Sequence, residues 1–342
     1  LCGSSSNPRS AGDFQPNYFS EGVTRSGALR RQAKQTGRNA RWDAFMDIET
    51  PLPILPVSVI LIGFALPGFG GGAWQIRISV GPGFISPADL NSFLRDSIRI
   101  AEADSRSTAR GLGLKPVRKA ANFEAALSVP IEPRVQILAA YGMIKAETTG
   151  NEFTVTYPAV DKINLREDKI RDDYGRLGLA YEIPIADWIS FRPYAAGELH
   201  RTSFEDAGSW TNVSLKTGDR VLWMDWKLKT TAIKPGFSAG LGIEIAPAPV
   251  LRLWADAGYR RAKITGFKGD FTYFWGYPEG GYWEESSDVP LYYYEFDDSG
   301  EGPVYASLSM PGLWAGHRLT KIRDAAVDLS GFYLKAGLGI AF

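Results

Sequence analysis

From Trp74 onward, apolar and polar residues alternate with a period of two, and the pattern recurs eight times. In the first run Trp74, Ile76, Ile78, Val80 and Phe84 share one face, with Gln75, Arg77, Ser79 and Gly81 on the other. The alternation returns at 122–131, 135–143, 177–183, 189–199, 233–245, 251–260 and 332–342. A period of two marks a strand with two unlike faces, and each run reads as long enough for the 9–11 residues that a tilted membrane strand needs. The connections alternate as well. Pro-containing turns near 131, 186 and 248 are short, whereas 86–119, 148–172, 203–230 and 268–329 read as long loops. Short turns on one side and long loops on the other predict an all-β protein: a closed antiparallel up-and-down transmembrane β-barrel of eight strands, with both termini on the short-turn side. A further hairpin within 268–329 would raise the number to ten. Inside the first long loop, Ser86-Pro87 starts a run in which Leu90, Phe93, Leu94, Ile98 and Ala101 share a helical face. That predicts one short helix near 87–104, packed over the barrel mouth.

The polar face decides which way the barrel is turned. It carries Arg77, Arg176, Arg192, Lys234, Arg252, Arg260 and Lys335, opposed by Glu124, Glu182, Glu198, Glu244 and Asp256, among many glycines. An eight-stranded barrel is only wide enough inside for side chains, so these groups are expected to plug the lumen as an ionic network, with Trp254 closing one end. The other face is apolar on every strand and too extensive to lie in water. A soluble lipocalin-like barrel, apolar side inward around a ligand, is the alternative topology.

The front of the chain differs. Residues 1–45 contain one Val, two Leu and no Ile, too little apolar surface to offset ordering, and are expected to be disordered or upstream of the mature protein. Residues 46–73 hold an apolar block, Val57 to Leu66, broken by Pro67-Gly68, with Gly71 and Ala73 at the −3 and −1 positions of a cut after Ala73. This is the layout of a signal peptide, although Asp47 and Glu49 stand where basic residues are usual. Residues 74–342 form the barrel domain. Across the chain 38 basic residues balance 38 acidic ones, which gives no footprint for nucleic acid. One cysteine and two histidines exclude a disulfide framework and leave little for a metal; neither metal nor cofactor is expected.

The last run, Gly331 to Phe342, ends in Phe with apolar residues at alternate positions before it. It resembles the terminal β-signal of Gram-negative outer-membrane proteins, and Trp74–Ile85 is similar to the first strand of the small OmpA/OmpX/Opa-like barrels. The resemblance implies a location in the cell outer membrane, contact with its lipid, and reading of Phe332, Leu334, Leu338, Ile340 and Phe342 by the barrel-assembly machinery. It does not specify an activity, since that group includes adhesins, membrane anchors, narrow pores and a few lipid-modifying enzymes.

Three patterns invite chemistry. Gly236-Phe237-Ser238-Ala239-Gly240 matches G-x-S-x-G, but a nucleophile elbow needs a strand-to-helix turn, and here it lies within a strand. His200, on the polar face of the neighbouring strand, is expected at the barrel rim and too far from Ser238 to serve as its base. Asp297, Asp298 and Glu301 lack the spacing of a calcium loop. The last long loop is dense in aromatics, and Tyr273, Trp275, Tyr282, Trp283, Tyr292, Tyr293 and Tyr294 are the expected binding surface for an extracellular ligand. The sequence therefore predicts a monomeric, non-enzymatic barrel with a plugged lumen and a structural or surface-binding role. A narrow channel or carrier and a lipid-modifying enzyme are the alternatives.

Overall fold

The computed structural model describes residues 74–103, 108–110, 116–297, 305–309 and 318–342. The expected leader, and Asp298 and Glu301, lie outside the described residues. Strands β1 (Gln75–Phe84), β2 (Lys119–Glu132), β3 (Val135–Thr156), β4 (Val160–Tyr181), β5 (Ile189–Ser214), β6 (Arg220–Ile245) and β7 (Leu251–Arg261) pair in sequence, each antiparallel to the next. Further along the chain come β8 (Lys268–Tyr277), β9 (Gly280–Pro290), β10 (Tyr292–Asp297), β11 (Tyr305–Ser309), β12 (Arg318–Asp324) and β13 (Gly331–Ala341). The ring of eight closes because β13 pairs with β7 on one side and with β1 on the other, Gln75 opposite Ala341 and Val80 opposite Ala336.

The apolar face points outward. Ile78, Leu177, Leu199, Ile233 and Leu338 are each 58–68% exposed, while Arg77, Glu124, Arg176 and Lys335 on the opposite face are at most 6% exposed. Such a surface is stable only against lipid. Aromatics border the apolar band at both ends. Tyr181, Trp188 and Phe342 lie toward the short turns; Phe84, Phe123, Tyr259 and Phe332 lie toward the long connections, where Tyr259 and Phe332 meet edge to face at 5.1 Å. These are the interfacial girdles of a membrane barrel.

Two of the expected loops are strands. Residues 148–172 and 203–230 continue the sheet, so β3 and β4 each run 22 residues and β5 and β6 each run 26. At strand rise, 26 residues reach roughly 85 Å, far beyond an apolar band of about 25 Å. The period-two pattern weakens there because neither face meets lipid. The sheet persists through cross-strand pairs instead, such as Lys229 with Glu205 at 3.3 Å and Trp210 against Trp275 at 5.2 Å. The hairpin β8–β9 extends this projecting sheet, β8 pairing with Trp223–Thr231 of β6. It adds no strand to the ring.

The mouth on the side of the long connections is filled by an apolar core. Ile144, Ile170, Phe204 and Ala232 line the barrel wall, and Leu90 and Leu94 of α1 (Ala88–Ala103) join the same cluster with Ile264, Phe267, Leu291, Val327 and Leu329. Strands β11, β10 and β12 form a small sheet beside the helix. Two buried acids pin α1 to it: Asp89 binds Arg323 at 2.6 Å and the Ala326 amide at 2.8 Å, and Asp96 accepts the Ala306 amide at 2.9 Å. Asn91 adds a two-way clip to Val117, at 3.0 and 2.8 Å. The helix expected near 87–104 is present and closes the mouth.

The two zones of the wall respond differently to charge. Leu177→Arg, within the apolar band, is expected to destabilise the folded barrel by about 2–4 kcal/mol, whereas Leu165→Arg, equally outward on the projecting part of the same strand, should cost less than about 0.5 kcal/mol. Urea unfolding in lipid vesicles measures both; equal costs would place the bilayer elsewhere.

Candidate functional site

The lumen is the most densely organised polar region among the described residues. Alternation within each strand aims its polar residues inward, and antiparallel register brings those of neighbouring strands to one level. At mid-height Glu124 of β2 receives Arg176 of β4 at 2.9 Å and Lys335 of β13 at 2.9 Å. Lys335 also reaches Asp256 of β7 at 3.4 Å. Glu198 of β5 receives Arg176 at 3.0 Å and Arg260 at 2.7 Å. Nearer the short turns, Glu244 binds Arg192 and, at 3.1 Å, Arg252, while Gln75 bridges Glu244 and Arg192. Each carboxylate thus serves two or more donors from different strands, which is what offsets the cost of removing such charges from water.

Glycines make room for the rings between these charges. Tyr194 and Tyr333 hydrogen-bond each other, and Tyr194 donates to Asp256 at 3.1 Å. A Cβ on Gly240 would come within 2.5 Å of the Tyr194 hydroxyl, and one on Gly258 within 2.6 Å of the Tyr333 ring. Both glycines are therefore floors on which the phenols lie. Tyr174 occupies the space over Gly142 and donates to Glu124 at 2.8 Å, with the Arg260 guanidinium 4.3 Å from its ring centre.

His200 does not sit at a rim. It is fully buried, with Nδ1 2.7 Å from Asp172 and Nε2 3.1 Å from Glu198. Two carboxylates can be satisfied only if both ring nitrogens carry protons, so the imidazole is cationic. Thr202 completes the group by donating to Asp172 at 2.7 Å. The barrel continues well past His200, so a residue near the end of the apolar band lies deep inside the protein. Ser238 is also fully buried, and its Oγ has no hydrogen-bond partner. With both nitrogens of His200 held by acids, that imidazole is not turned toward the hydroxyl.

Of the expected network residues, Arg77, Glu124, Arg176, Arg192, Glu198, Glu244, Asp256, Arg260 and Lys335 are buried in the lumen, and Arg252 is half-buried at its end. Glu182 sits near the short turns and accepts Gln136 at 3.0 Å rather than an arginine. Lys234 is half-buried and makes no ion pair among the described residues. Trp254 is buried, its ring 4.8 Å from the Arg77 guanidinium. Asp172, Thr202, Tyr174 and Gln75 join the network without having been expected to. Gln75 and Tyr174 have lumen-facing parity that could have identified them, whereas Asp172 and Thr202 lie at the edges of segments read as loop.

The aromatics of the last long connection divide. Tyr282 and Trp283 are exposed, at 44% and 55%. Tyr273, Tyr293 and Tyr294 are buried, and Trp275 and Tyr292 are half-buried, packing within the projecting sheet and the mouth. The surface available for contact is therefore smaller than the aromatic content suggests. A second buried polar cluster lies on the inner side of the projecting sheet, where Arg166 bridges Asp168 at 3.0 Å and Asp206 at 2.9 Å, and Asp206 accepts the Trp226 indole N–H at 3.2 Å. Burial, with Asp168 adding repulsion against the attraction of Arg166, pushes the Asp206 carboxyl up to about 7. No group of acids, histidines or cysteines among the described residues is arranged to hold a metal ion.

No protein-family model and no curated protein matches the sequence. Among solved structures, the chain is similar to the outer membrane protein OprG from Pseudomonas aeruginosa: 11% identity, 80% of this chain and 98% of that one, TM-score 0.33. It is similar also to Ail, the attachment invasion locus protein of Yersinia pestis, at 10% identity over 78% and 98% with a TM-score of 0.29. A major outer membrane protein from Thermus thermophilus gives 13% identity over 79% and 99%, with a TM-score of 0.34. At these scores the likeness adds nothing to what the strand ring itself shows.

Glu198 meets three cations, so Glu198→Ala would leave Arg176, Arg260 and His200 without it in a dry interior. A loss of about 3–5 kcal/mol is expected in urea unfolding of the refolded barrel; a loss below about 1 kcal/mol would mean that water reaches the site. For Asp206 the native carboxyl binds its proton more tightly than the unfolded one. The projecting sheet should therefore gain stability as pH falls from about 8 toward 5 and lose it as pH rises through about 7. Hydrogen exchange at 204–208 and 226–228, corrected for intrinsic rate, reads this slope, and Asp206→Asn is expected to abolish it.

Proposed function

We propose that this chain is an integral protein of the outer membrane of a Gram-negative bacterium, closed to solute, whose barrel anchors a rigid extracellular sheet for contact with partners at the cell surface. The observation that carries this reading is the filling of the barrel. An ionic network occupies the membrane-embedded lumen, an apolar core sealed by α1 occupies the mouth, and a cavity within the network measures about 20 Å³, room for about one water molecule. A pore needs a continuous wet path, and two stacked plugs oppose one.

The outer surface supports the membrane assignment, and the projecting sheet supports the contact role. Paired strands up to 26 residues long hold their tips far from the lipid, and β9 presents Tyr282 and Trp283 beside Glu284 and Glu285. Phe332, Leu334, Leu338, Ile340 and Phe342 all face outward on the closing strand, at 52–69% exposure, open to an assembly factor before lipid covers them. In this reading the chain carries no chemistry of its own and works as a monomer.

Two measurements test it. Refolded full-length protein in planar bilayers is expected to give no stepwise conductance; reproducible steps would favour the channel alternative. Trypsin added to intact cells is expected to cut at the exposed Lys216, in the turn between β5 and β6. The exposed Arg134, in the turn between β2 and β3, should be cut only after permeabilisation. The reverse order would invert the topology.

A further inference from the structure

The charges of the lumen do not balance. Six buried cations (Arg77, Arg176, Arg192, His200, Arg260 and Lys335) face five buried carboxylates (Glu124, Asp172, Glu198, Glu244 and Asp256). Arg252 and Glu182 stand at the end of the lumen and offset one another. The surplus falls on Arg77. It is 6% exposed, yet it forms no salt bridge among the described residues; its contacts are a 2.7 Å hydrogen bond to the Ser128 hydroxyl and the face of Trp254. A guanidinium in a lipid-surrounded interior with only a hydroxyl and a ring for company is costly.

The cavity of about 20 Å³ adjoins this residue, lined by Arg77, Arg176 and Arg192 together with Glu124, Asp256 and Trp254. Three guanidiniums and two carboxylates therefore surround it, a local excess of one positive charge. Arg77 Nε and both Nε and Nη2 of Arg192 are buried N–H groups that no protein acceptor meets. One acceptor, Asp256 Oδ1, is likewise unmet. Its charge already acts on Lys335 and Tyr194 through Oδ2, so it does not cancel the excess.

From the surplus charge and the unmet donors, we propose that the lumen binds one monatomic anion, a halide, between Arg77 and Arg192. The ion neutralises the Arg77 excess and accepts the N–H groups that the protein leaves without acceptors. Its approach is from the short-turn end, past Arg252, because α1 and the apolar core close the other end. This goes beyond the surface role proposed above and does not depend on it.

Bromide is the probe. Crystals of the refolded full-length protein grown in sodium bromide, with data collected at the bromine absorption edge, are expected to show an anomalous peak in contact with Arg77 and Arg192. In detergent, the temperature at which the folded barrel loses its faster gel mobility should rise saturably with sodium bromide and not with sodium gluconate at equal ionic strength. Arg77→Gln should lose both the peak and the bromide-specific rise. The wild-type data decide the matter even where that variant fails to refold. No peak at the cavity, a peak at surface lysines alone, or equal responses to the two salts would overturn the proposal, leaving a water molecule as the occupant.

Discussion

A tube surrounded by lipid cannot leave a strand edge unpaired, because no water is present to satisfy the exposed amides and carbonyls. Much else in this structure follows from that constraint. The last strand must meet the first, and β13 does so in unbroken register from Gln75–Ala341 to Val80–Ala336. Closing a ring of eight fixes an interior that side chains alone can fill. Inward positions are then restricted to residues that interlock: glycine where a tyrosine lies flat, and acids and bases where each can serve more than one neighbour. The network around Glu124 and Glu198 is the result, and it joins residues as far apart in the sequence as Glu124 and Lys335.

The same closure divides the barrel along its length. Within the membrane, lipid takes the apolar residues outside and the interior is left polar. Past the outer girdle lipid no longer claims them, so Ile144, Ile170 and Phe204 turn inward with Leu90 and Leu94 of α1. One continuous wall therefore carries two cores of opposite character. The upper one excludes water from the lower, and this is what strengthens the ion pairs beneath it.

The fold was readable in the sequence wherever lipid imposed its pattern. Leu177-Gly178-Leu179 and Leu338-Gly339-Ile340 alternate because one side meets hydrocarbon and the other meets the packed lumen, and parity alone aimed Arg176 and Lys335 inward. Outside the membrane that rule is silent. Residues 203–214 lack the alternation, yet they are strand, held by partners such as Leu165 opposite Ser209 and Met224 opposite Trp210 that only the register of β4 and β6 reveals. Parity does not reach Asp172 and Thr202 for that reason, and the rim lies further out than the sequence puts His200. Tyr293 and Tyr294 show the converse: aromatic content suggested a contact surface, but the three-stranded sheet uses both rings for its own packing.

The contacts that fasten α1 have an implication for the order of folding. Asp89 reaches Arg323, 234 residues along the chain, and Asp96 reaches Ala306, 210 residues along. Contacts of such separation form slowly and late. The helix emerges directly after the first strand, but its seat exists only once the segment before the final strand is in place. During assembly the wall must therefore be nearly complete while its mouth is still open, and the helix drops in as a final stopper. A wall closed before α1 is seated would be hollow, a stage that the finished protein no longer has.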